Sequence, residues 1–310
     1  MPEVVVVGSL VIDVVFRVAR QPVGGETLTA EEAGVFLGGK GFNQAVAARR
    51  AGATVALVGQ LGDDLFAPLF EAALDREGID RRCVQRGGSG TGISVPIVDR
   101  EGHNTLIVAP RANLILPRRL VDAARALIAA SRVVVAQRET SIESIRRAGE
   151  LAREAGATFL WNAAPAGPVD PALFALADIL VVNEQEAEAF AGLSLENEDC
   201  LREAARRLQQ RGPATVIVTL GERGAFLLTG GRELRLNAIR VDAVDATGAG
   251  DAFVGAFAAR LAAGDPVERA VRFANAAGAL AVTTLGAEPA MPTRAAIERL
   301  LAAVPPAYEA

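Results

Sequence analysis

The chain has 310 residues, of which 51% are hydrophobic and 22% are charged, and its formal net charge is −5. This composition excludes a disordered chain, and because the arginines are scattered rather than striped, it argues against a nucleic-acid partner. The isolated cysteines Cys83 and Cys200 and the single histidine, His103, cannot build a zinc site and suit a reducing compartment. No apolar stretch approaches the length of a membrane span, and the run at 4–7 is too short for a signal peptide, so we expect a soluble cytoplasmic protein.

Short runs of β-branched residues alternate with longer helical patterns along the chain. Strands are predicted at 4–7, 55–58, 133–136, 159–161, 179–182 and 216–218. Helices are predicted at 41–51, 65–77, 117–130, 142–155, 184–191 and 199–210, with three more beginning at Gly250, Pro266 and Thr293. This alternation predicts an α/β fold with a mostly parallel sheet covered by helices on both faces, because parallel strands need crossover connections. The Pro-containing tail at 304–307 is expected to fray.

Two stretches break the alternation. Residues 11–17 with 27–37, and residues 91–98 with 104–108, alternate apolar and polar side chains around Gly or Asp turns, as half-exposed antiparallel strands do. Ligands of open parallel sheets bind beyond the carboxyl ends of the strands. Asn183, Gly221 and Asp251 each follow an apolar run, where that rule predicts a site.

A first glycine cluster, Gly38-Gly39-Lys40-Gly41, precedes a predicted Ala-rich helix. It nearly completes a P-loop, but the position after Lys40 lacks the Ser or Thr hydroxyl that would bind Mg²⁺. A Walker-type NTPase is therefore rejected. The paired glycines are either a hinge or only a tight turn before a helix.

A second glycine-rich turn spans residues 245–251, with the sequence DATGAGD, and opens a helix. Glycines let backbone N–H groups approach an anion closely, and the start of a helix favours negative charge. Asp251, in the first turn, would stay ionised and accept a proton from an attacking hydroxyl. The alternative is that Asp251 only starts a helix and the glycines only form a turn. The dinucleotide fingerprint fails at its last position, so a nicotinamide enzyme is not expected.

Together the two segments resemble the ribokinase family of sugar kinases, also called the phosphofructokinase B family. Further matching blocks occur in the family's order at residues 8–13, 24–27, 62–64, 162–166, 183–188, 219–224 and 275–279. The resemblance implies one ribokinase-like domain over 1–310, built as a three-layer α/β/α sandwich. It also implies a small β-strand lid, formed by segments about 11–37 and 91–108, that covers the sugar.

The resemblance also assigns the parts of phosphoryl transfer, which depends on positioning and charge stabilisation. Asp251 would be the base, in a catalytic set made of Gly248, Ala249, Gly250 and Asp251, whose backbone amides form an anion hole. The implied nucleotide-binding residues are Asn183, Thr219, Gly221, Gly224 and Asn275. Glu186 would order Mg²⁺ through water, and K⁺ would be bound near Asp245, Thr247, Thr284 and Gly286.

The implied sugar-binding residues are Asp13, Gly38, Gly39, Lys40, Asn43, Glu139 and Asp251. Carboxylates accept and amides both accept and donate, so such a set can bind vicinal hydroxyls. The sequence departs from ribokinase at Val11, where an Asn is usual, at Phe42, where a small residue is usual, and at Arg111, where a glycine is usual. Arg111 either reaches an anionic group of the substrate or points to solvent. These departures leave the identity of the sugar open.

Some assignments have a purely structural alternative. Asn183 either faces the phosphates or caps the helix that begins at Glu184, or does both. Glu139 either binds the sugar or starts a helix, and Gly221 and Gly224 either line the nucleotide or are ordinary hairpin glycines.

The sequence therefore predicts ATP-dependent phosphorylation of a primary hydroxyl of a small sugar, with ribose as the leading candidate. Fructose, a sugar acid of the 2-keto-3-deoxygluconate type and a nucleoside are alternatives within the class. A catalytically silent sugar- or nucleotide-binding protein is the alternative outside it, and Asp251 argues against silence because binding alone does not need a base. The resemblance adds ATP and Mg²⁺, often K⁺, and a possible homodimer through the lid; neither nucleic acid nor a membrane is an expected partner.

Overall fold

The computed structural model describes residues 1–101 and 103–304, so residues 305–307 of the predicted frayed tail lie outside it. Its strands are β1 (Val4–Val7), β2 (Val11–Arg17), β3 (Glu32–Gly38), β4 (Val55–Leu61), β5 (Asp80–Arg86), β6 (Gly92–Val98), β7 (Asn104–Ala109), β8 (Val133–Ala136), β9 (Thr158–Asn162), β10 (Ile179–Asn183), β11 (Thr215–Thr219), β12 (Ala225–Thr229) and β13 (Arg232–Leu236). Its α-helices are α1 (Lys40–Arg50), α2 (Ala67–Glu77), α3 (Arg118–Ala123), α4 (Arg125–Ala130), α5 (Ile142–Ala155), α6 (Ala172–Leu176), α7 (Glu184–Ala191), α8 (Glu198–Gln210), α9 (Ala249–Ala262), α10 (Val267–Ala281) and α11 (Arg294–Ala303).

Nine strands of the described chain form the main sheet, in the order β13-β12-β11-β10-β9-β8-β1-β4-β5. All neighbours pair in parallel except β11 with β12 and β12 with β13. Val4 and Val6 of β1 belong to one apolar cluster and Val5 and Val7 to another, because successive strand side chains point to opposite faces. Helices cover both faces, which confirms the predicted three-layer α/β/α architecture.

A second, four-stranded sheet has the order β3-β2-β6-β7. β2 pairs antiparallel with β3 and in parallel with β6, so the two predicted hairpin-like pieces join into one small sheet. β3 begins at residue 32 rather than at residue 27.

The structure also contains elements that the hydrophobic pattern does not predict. β5 has the sequence DRRCVQR and is an edge strand in which only Cys83 is buried, so it has no apolar run. The predicted helix at 117–130 is divided into α3 and α4 at Ala124. No helix of the described residues is long and apolar enough to cross a membrane.

The carboxyl ends of β1, β8, β9, β10 and β11 lie side by side along one edge of the main sheet. Polar residues at or just after these ends form a rim, with Ser9 after β1, Gln137 and Glu139 after β8, and Asn162, Asn183 and Thr219 ending β9, β10 and β11. This is the edge at which parallel α/β sheets bind ligands.

Candidate active site

The glycine-rich turn leads into α9 as the sequence predicts. Gly248 is the N-cap residue with φ of 78°, and a Cβ there would lie 3.1 Å from the Cβ of Ala287, so this position needs glycine. A Cβ at Gly250 would meet no atom within 4 Å. Asp251 lies in the first turn and is 6% exposed. The N–H of Ala249 donates to the carbonyl oxygen of Ala246 at 3.3 Å, whereas the N–H groups of Gly250 and Asp251 can face an anion beside this buried carboxylate.

Both carboxylate oxygens of Asp251 accept hydrogen bonds from side-chain amides of α1. Asn43 Nδ2 donates to Oδ2 at 3.0 Å, and Gln44 Nε2 donates to Oδ1 at 2.9 Å. The two helices approach closely enough that a Cβ at Gly255 would lie 2.5 Å from the Cβ of Ala47. Oδ1 of Asn43 is buried and has no partner among the described residues. The sequence predicted Asn43 but not Gln44 as a member of this site.

Asp13 of β2 belongs to the same cluster. Burial raises the pKa of Asp13 to about 6, and the charges of Glu139 and Asp251 add to that effect, whereas a hydrogen bond from Ser94 opposes it. Ser94, on β6, carries no motif that could have identified it. A Cβ at Gly38 would collide with the Asp13 carboxylate, so this glycine leaves room for the carboxyl group.

Lys40 brings a positive charge to these carboxylates. The negative charge of Asp251 raises the pKa of Lys40, with Glu139 and Glu186 adding to it, and this attraction outweighs the opposing effect of burial. The predicted residues Asp13, Lys40, Glu139 and Asp251 thus lie within electrostatic reach of one another, although they come from four separate parts of the chain.

Glu139 does not cap a helix, so that alternative is wrong. Its Oε2 accepts hydrogen bonds from Ser9 Oγ at 2.5 Å and from the backbone N–H of Lys40 at 2.9 Å. The cap of α5 is Ser141, whose Oγ accepts from the N–H of Ser144 at 3.2 Å. Glu139 therefore joins the rim after β1 to the start of α1.

Asn183 and Glu186 form a reciprocal cap at the start of α7. Asn183 Oδ1 accepts from the N–H of Glu186, and Glu186 Oε2 accepts from the N–H of Asn183, both at 2.8 Å. Burial raises the pKa of Glu186 despite the opposing effects of this hydrogen bond and of Lys40. The structural alternative for Asn183 is therefore present, and its role towards phosphate or Mg²⁺ stays a prediction. No cluster of three His, Cys, Asp or Glu side chains that could hold a metal ion occurs within residues 1–101 and 103–304.

A cleft of about 910 Å³ lies next to the glycine-rich turn at 245–251. Of the residues predicted to bind the nucleotide or the phosphates, it is lined by Thr219, Gly221, Gly224, Ala249, Gly250 and Asn275. Asn183 is not part of this lining. The remaining lining residues, to which no nucleotide role was assigned from the sequence, are Glu222, residues 238–243, Ala246, Phe253, Gly278, Ala279 and Val282. Gly221 and Gly224 also turn the chain from β11 into β12, so they are both hairpin glycines and cleft residues.

Three of the four residues predicted to lie near K⁺ are joined by hydrogen bonds. Asp245 Oδ1 accepts from the N–H and the hydroxyl of Thr247 at 2.9 and 2.6 Å, and Oδ2 accepts from the N–H of Gly286 at 2.8 Å. Burial would raise the pKa of Asp245, but these hydrogen bonds outweigh it and lower the pKa. The N–H of Thr284 instead donates to the carbonyl oxygen of Ala281 at 3.3 Å.

The departures from ribokinase occupy different environments. Phe42 packs edge-on against Phe70 in the core, with ring centroids 5.2 Å apart, so it acts through packing and not through the sugar. Arg111 is exposed with φ of 46°, and its guanidinium lies over Gly90. Val11 lies two residues before Asp13 on β2, so both side chains point to the same face. Val11 is buried, yet it belongs to neither apolar cluster of the described residues.

Comparison with known proteins identifies the relatives of this chain. The sequence profile of the pfkB family of carbohydrate kinases matches residues 1–294. The ribokinase of Haemophilus influenzae is 35% identical over 290 residues, covering 93% of this chain and 95% of that protein. The deoxyribokinase of Salmonella typhi is 33% identical over 293 residues, covering 94% and 96%. The solved structure of Arabidopsis thaliana ribokinase, complexed with ribose and ATP, superposes with a TM-score of 0.91 at 31% identity, covering 97% of this chain and 98% of that one.

Proposed function

The chain belongs to the pfkB family of carbohydrate kinases, and we propose that it transfers the terminal phosphoryl group of ATP to a primary hydroxyl of a pentose, with ribose as the leading substrate. It is a phosphotransferase with an alcohol acceptor. The observation that carries the proposal is the position of Asp251, a buried carboxylate held by two amides at the start of a helix that opens towards a large cleft.

The sugar would bind between the small sheet and the rim of the main sheet. Asp13 and Glu139 would accept hydrogen bonds from its hydroxyls, and the unpartnered Oδ1 of Asn43 would accept another. Asp251 would take the proton of the attacking hydroxyl as the oxygen–phosphorus bond forms. Asn43 would then contact both the base and the sugar, which fixes their distance from each other.

The nucleotide would lie in the 910 Å³ cleft with its terminal phosphate at the glycine-rich turn at 245–251. The N–H groups of Gly250 and Asp251, joined by that of Ala249 once it is released from the carbonyl oxygen of Ala246, would stabilise the charge on the transferred group. Lys40 would add a positive charge from the sugar side. Gly221, Gly224 and Asn275 would contact the rest of the nucleotide.

Mg²⁺ and K⁺ would each assist the transfer through a separate group of residues. Mg²⁺ neutralises charge on the phosphates, and Glu186 would hold its water shell, because its buried carboxylate lies within electrostatic reach of Lys40 and Asp251. K⁺ would be bound near Asp245, Thr247 and Gly286, whose hydrogen bonds already tie this loop together, with Thr284 on the same loop. An assay in which K⁺ is replaced by Li⁺ tests the second ion, because loss of activity is expected only if the site selects a large cation.

Deoxyribose is the second candidate substrate, and Val11 is the observation that favours it. This buried side chain shares a strand face with Asp13, so the wall beside that carboxylate is apolar. An apolar wall suits a sugar carbon that lacks a hydroxyl better than one that carries it. The 33% identity to a deoxyribokinase is consistent with either pentose.

The small sheet would act as a lid, hinged at Gly38 and Gly39, within a single domain. Gly39 has φ of 91°, and a Cβ there would lie 2.8 Å from the backbone nitrogen of Val11, so this joint needs glycine.

The small sheet would also carry a homodimer interface, since Leu106, Ile107 and Val108 on its edge strand β7 are at least half exposed. Ile107→Glu should lower the mass measured by light scattering from dimer to monomer. A cytoplasmic location also remains a prediction.

A substrate panel tests the proposed function. Purified protein is assayed for ADP release with ribose, deoxyribose, fructose, 2-keto-3-deoxygluconate and a nucleoside, each with Mg²⁺ and K⁺. The proposal expects the largest kcat/KM for a pentose. Activity on a non-pentose alone would contradict the substrate, and sugar binding without ADP release would support a silent binding protein.

A further inference from the structure

Two buried glutamines behind Asp251 form a hydrogen-bonded chain that the proposed transfer does not use. Gln137 Nε2 donates to Gln44 Oε1 at 2.7 Å, and Gln44 Nε2 donates to Asp251 Oδ1 at 2.9 Å. Gln44 is 0% exposed and Gln137 is 1% exposed. We infer that Gln44 and Gln137 are positioning residues that hold the Asp251 carboxylate in the plane required for proton transfer. The inference rests on the proposed function of Asp251 as base.

The chemistry of the partners determines the direction of this chain. A carboxylate only accepts, so Gln44 must turn its NH₂ group towards Asp251. Its oxygen then faces Gln137, which must in turn present its own NH₂ group. Gln44 Nε2 also donates to Asn162 Oδ1 at 2.9 Å, and Asn162 Nδ2 donates to the carbonyl oxygen of Val181 at 3.1 Å. The amide of Gln44 is therefore held in one orientation by three partners.

The terminal torsion of an Asp side chain has a broad energy minimum, so packing alone holds a carboxylate plane weakly. Here Asn43 holds Oδ2 and Gln44 holds Oδ1, and rotation of the carboxylate breaks both hydrogen bonds. Asn43 has a free oxygen for the sugar, whereas Gln44 contacts only the protein interior. Gln44 is thus the partner that keeps its orientation when the sugar binds or leaves.

A purely structural role explains Gln137 poorly. Its Oε1 is buried and has no hydrogen-bond partner in the described part of the chain. An unpaired buried acceptor destabilises a fold, so an apolar side chain of the same size would serve packing at least as well. The need to hold the amide of Gln44 in one orientation accounts for a glutamine at position 137.

The test compares Gln44→Met and Gln137→Met with Gln60→Met as the matched control. Gln60 is also buried with an unpartnered Oε1, and its Nε2 donates to the carbonyl oxygen of Gly87 at 3.2 Å, away from the site. We expect kcat to fall by about 10–100-fold in Gln44→Met and about 3–10-fold in Gln137→Met, because the base is misplaced. In each variant the KM for the sugar and the KM for ATP should stay within about threefold of wild type, because only the base is affected. Gln60→Met should keep the wild-type kcat.

A charge variant sharpens the test. Gln44→Glu keeps the shape but turns a carboxylate towards Asp251, and two adjacent carboxylates share a proton, which removes the base. Its kcat should therefore fall below that of Gln44→Met. A kcat within twofold of wild type in both folded Met variants, or a loss that appears in KM alone, overturns the inference.

The outcomes separate this inference from the proposed function. If Gln44→Met does not fold, Gln137→Met decides, since it removes neither of the side chains that bond to Asp251 and only releases Gln44. If the wild-type protein phosphorylates no member of the panel, the proposed function fails. The positioning role is then judged from a crystal structure of Gln137→Met, in which a rotated Asp251 carboxylate supports it and an unchanged one overturns it.

Discussion

The two halves of the site differ in what lines them. The cleft proposed for ATP is wide and lined largely by glycine, alanine and valine. The side proposed for the sugar is instead dense with buried and half-buried carboxylates and amides that hydrogen bond to their neighbours. A cleft that binds its ligand through its shape and through backbone N–H groups tolerates the loss of a side chain but not the addition of atoms. Buried polar networks respond strongly to the loss of one partner, because the remaining groups are left unpaired. Substitutions on the two sides should therefore have effects of different kinds.

The largest expected effect is on the polar side, at the proposed base. Asp251→Asn should lower kcat by about 10²–10⁴-fold while ATP affinity stays within a few-fold, because only transition-state assistance is lost. Steady-state kinetics and ATP titration measure the two quantities. Asp199→Asn, on the exposed surface of α8, is the control. Near-normal turnover in Asp251→Asn would remove the carboxylate from the mechanism.

On the cleft side, adding atoms should matter most. Gly250→Val should lower kcat/KM by about 10²–10³-fold or more, because the new side chain enters the space that a phosphate oxygen needs. The fold should survive, since a Cβ at this position meets no atom within 4 Å. Gly250→Ala should show a smaller loss. A folded and fully active Gly250→Val protein would mean that the anion hole lies elsewhere.

The pH dependence of sugar binding tests whether the ionised carboxylate of Asp13 binds the sugar. Because the pKa of Asp13 is raised to about 6, the carboxyl group becomes protonated below that pH and the KM for the sugar should rise, by about tenfold near pH 5. Asp13→Asn should raise KM and remove this dependence.

The same shift predicts an effect of Asp13 on stability. Folding disfavours the ionised carboxylate, so stability falls as pH rises from about 4 to about 6 and stays reduced above. Asp13→Asn should then melt at a higher temperature than wild type near pH 8 and at a similar temperature near pH 4. A lower melting temperature at both pH values would mean that burial does not penalise the Asp13 charge.

Val11 tests how the polar side selects its sugar. Val11→Asn should raise kcat/KM for ribose relative to deoxyribose by about tenfold if one hydrogen bond of about 1.4 kcal/mol is restored. The alternative is that Val11 only packs in its strand, and then the variant would bury an unpaired amide. An unchanged preference together with a lower melting temperature would support that alternative.

The smallest effect is expected from losing a side chain in the cleft. Asn275 Nδ2 donates to the carbonyl oxygen of Asn237 at 2.9 Å and lines the cleft. Asn275→Ala should raise the KM for ATP by about fivefold, corresponding to about 1 kcal/mol, and leave the KM for the sugar unchanged. A large fall in kcat would instead place Asn275 at the reacting centre.

Local patterns predicted much of the fold. The bounds of β1, β8, α5 and α7 match the prediction, because apolar runs, Ser or Asn caps and helical periodicity are encoded within a few residues. The prediction missed β5 and the edge strand β13, because these charged strands at the sheet edges have no apolar run. Their pairing with a neighbour makes them strands.

The sequence by itself determined the chemistry that is available: a glycine turn that only glycine can form at Gly248, a carboxylate in the first turn of a helix, and a second glycine cluster before α1. Which polar groups meet was decided by the tertiary structure. Asn43 and Gln44 reach Asp251 across more than 200 residues because α1 packs against α9, and Gln137 joins them because β8 ends beside that helix. Contacts of this range depend on the packing of whole elements, so no short motif encodes Gln44, Ser94 or Gln137 as part of the site.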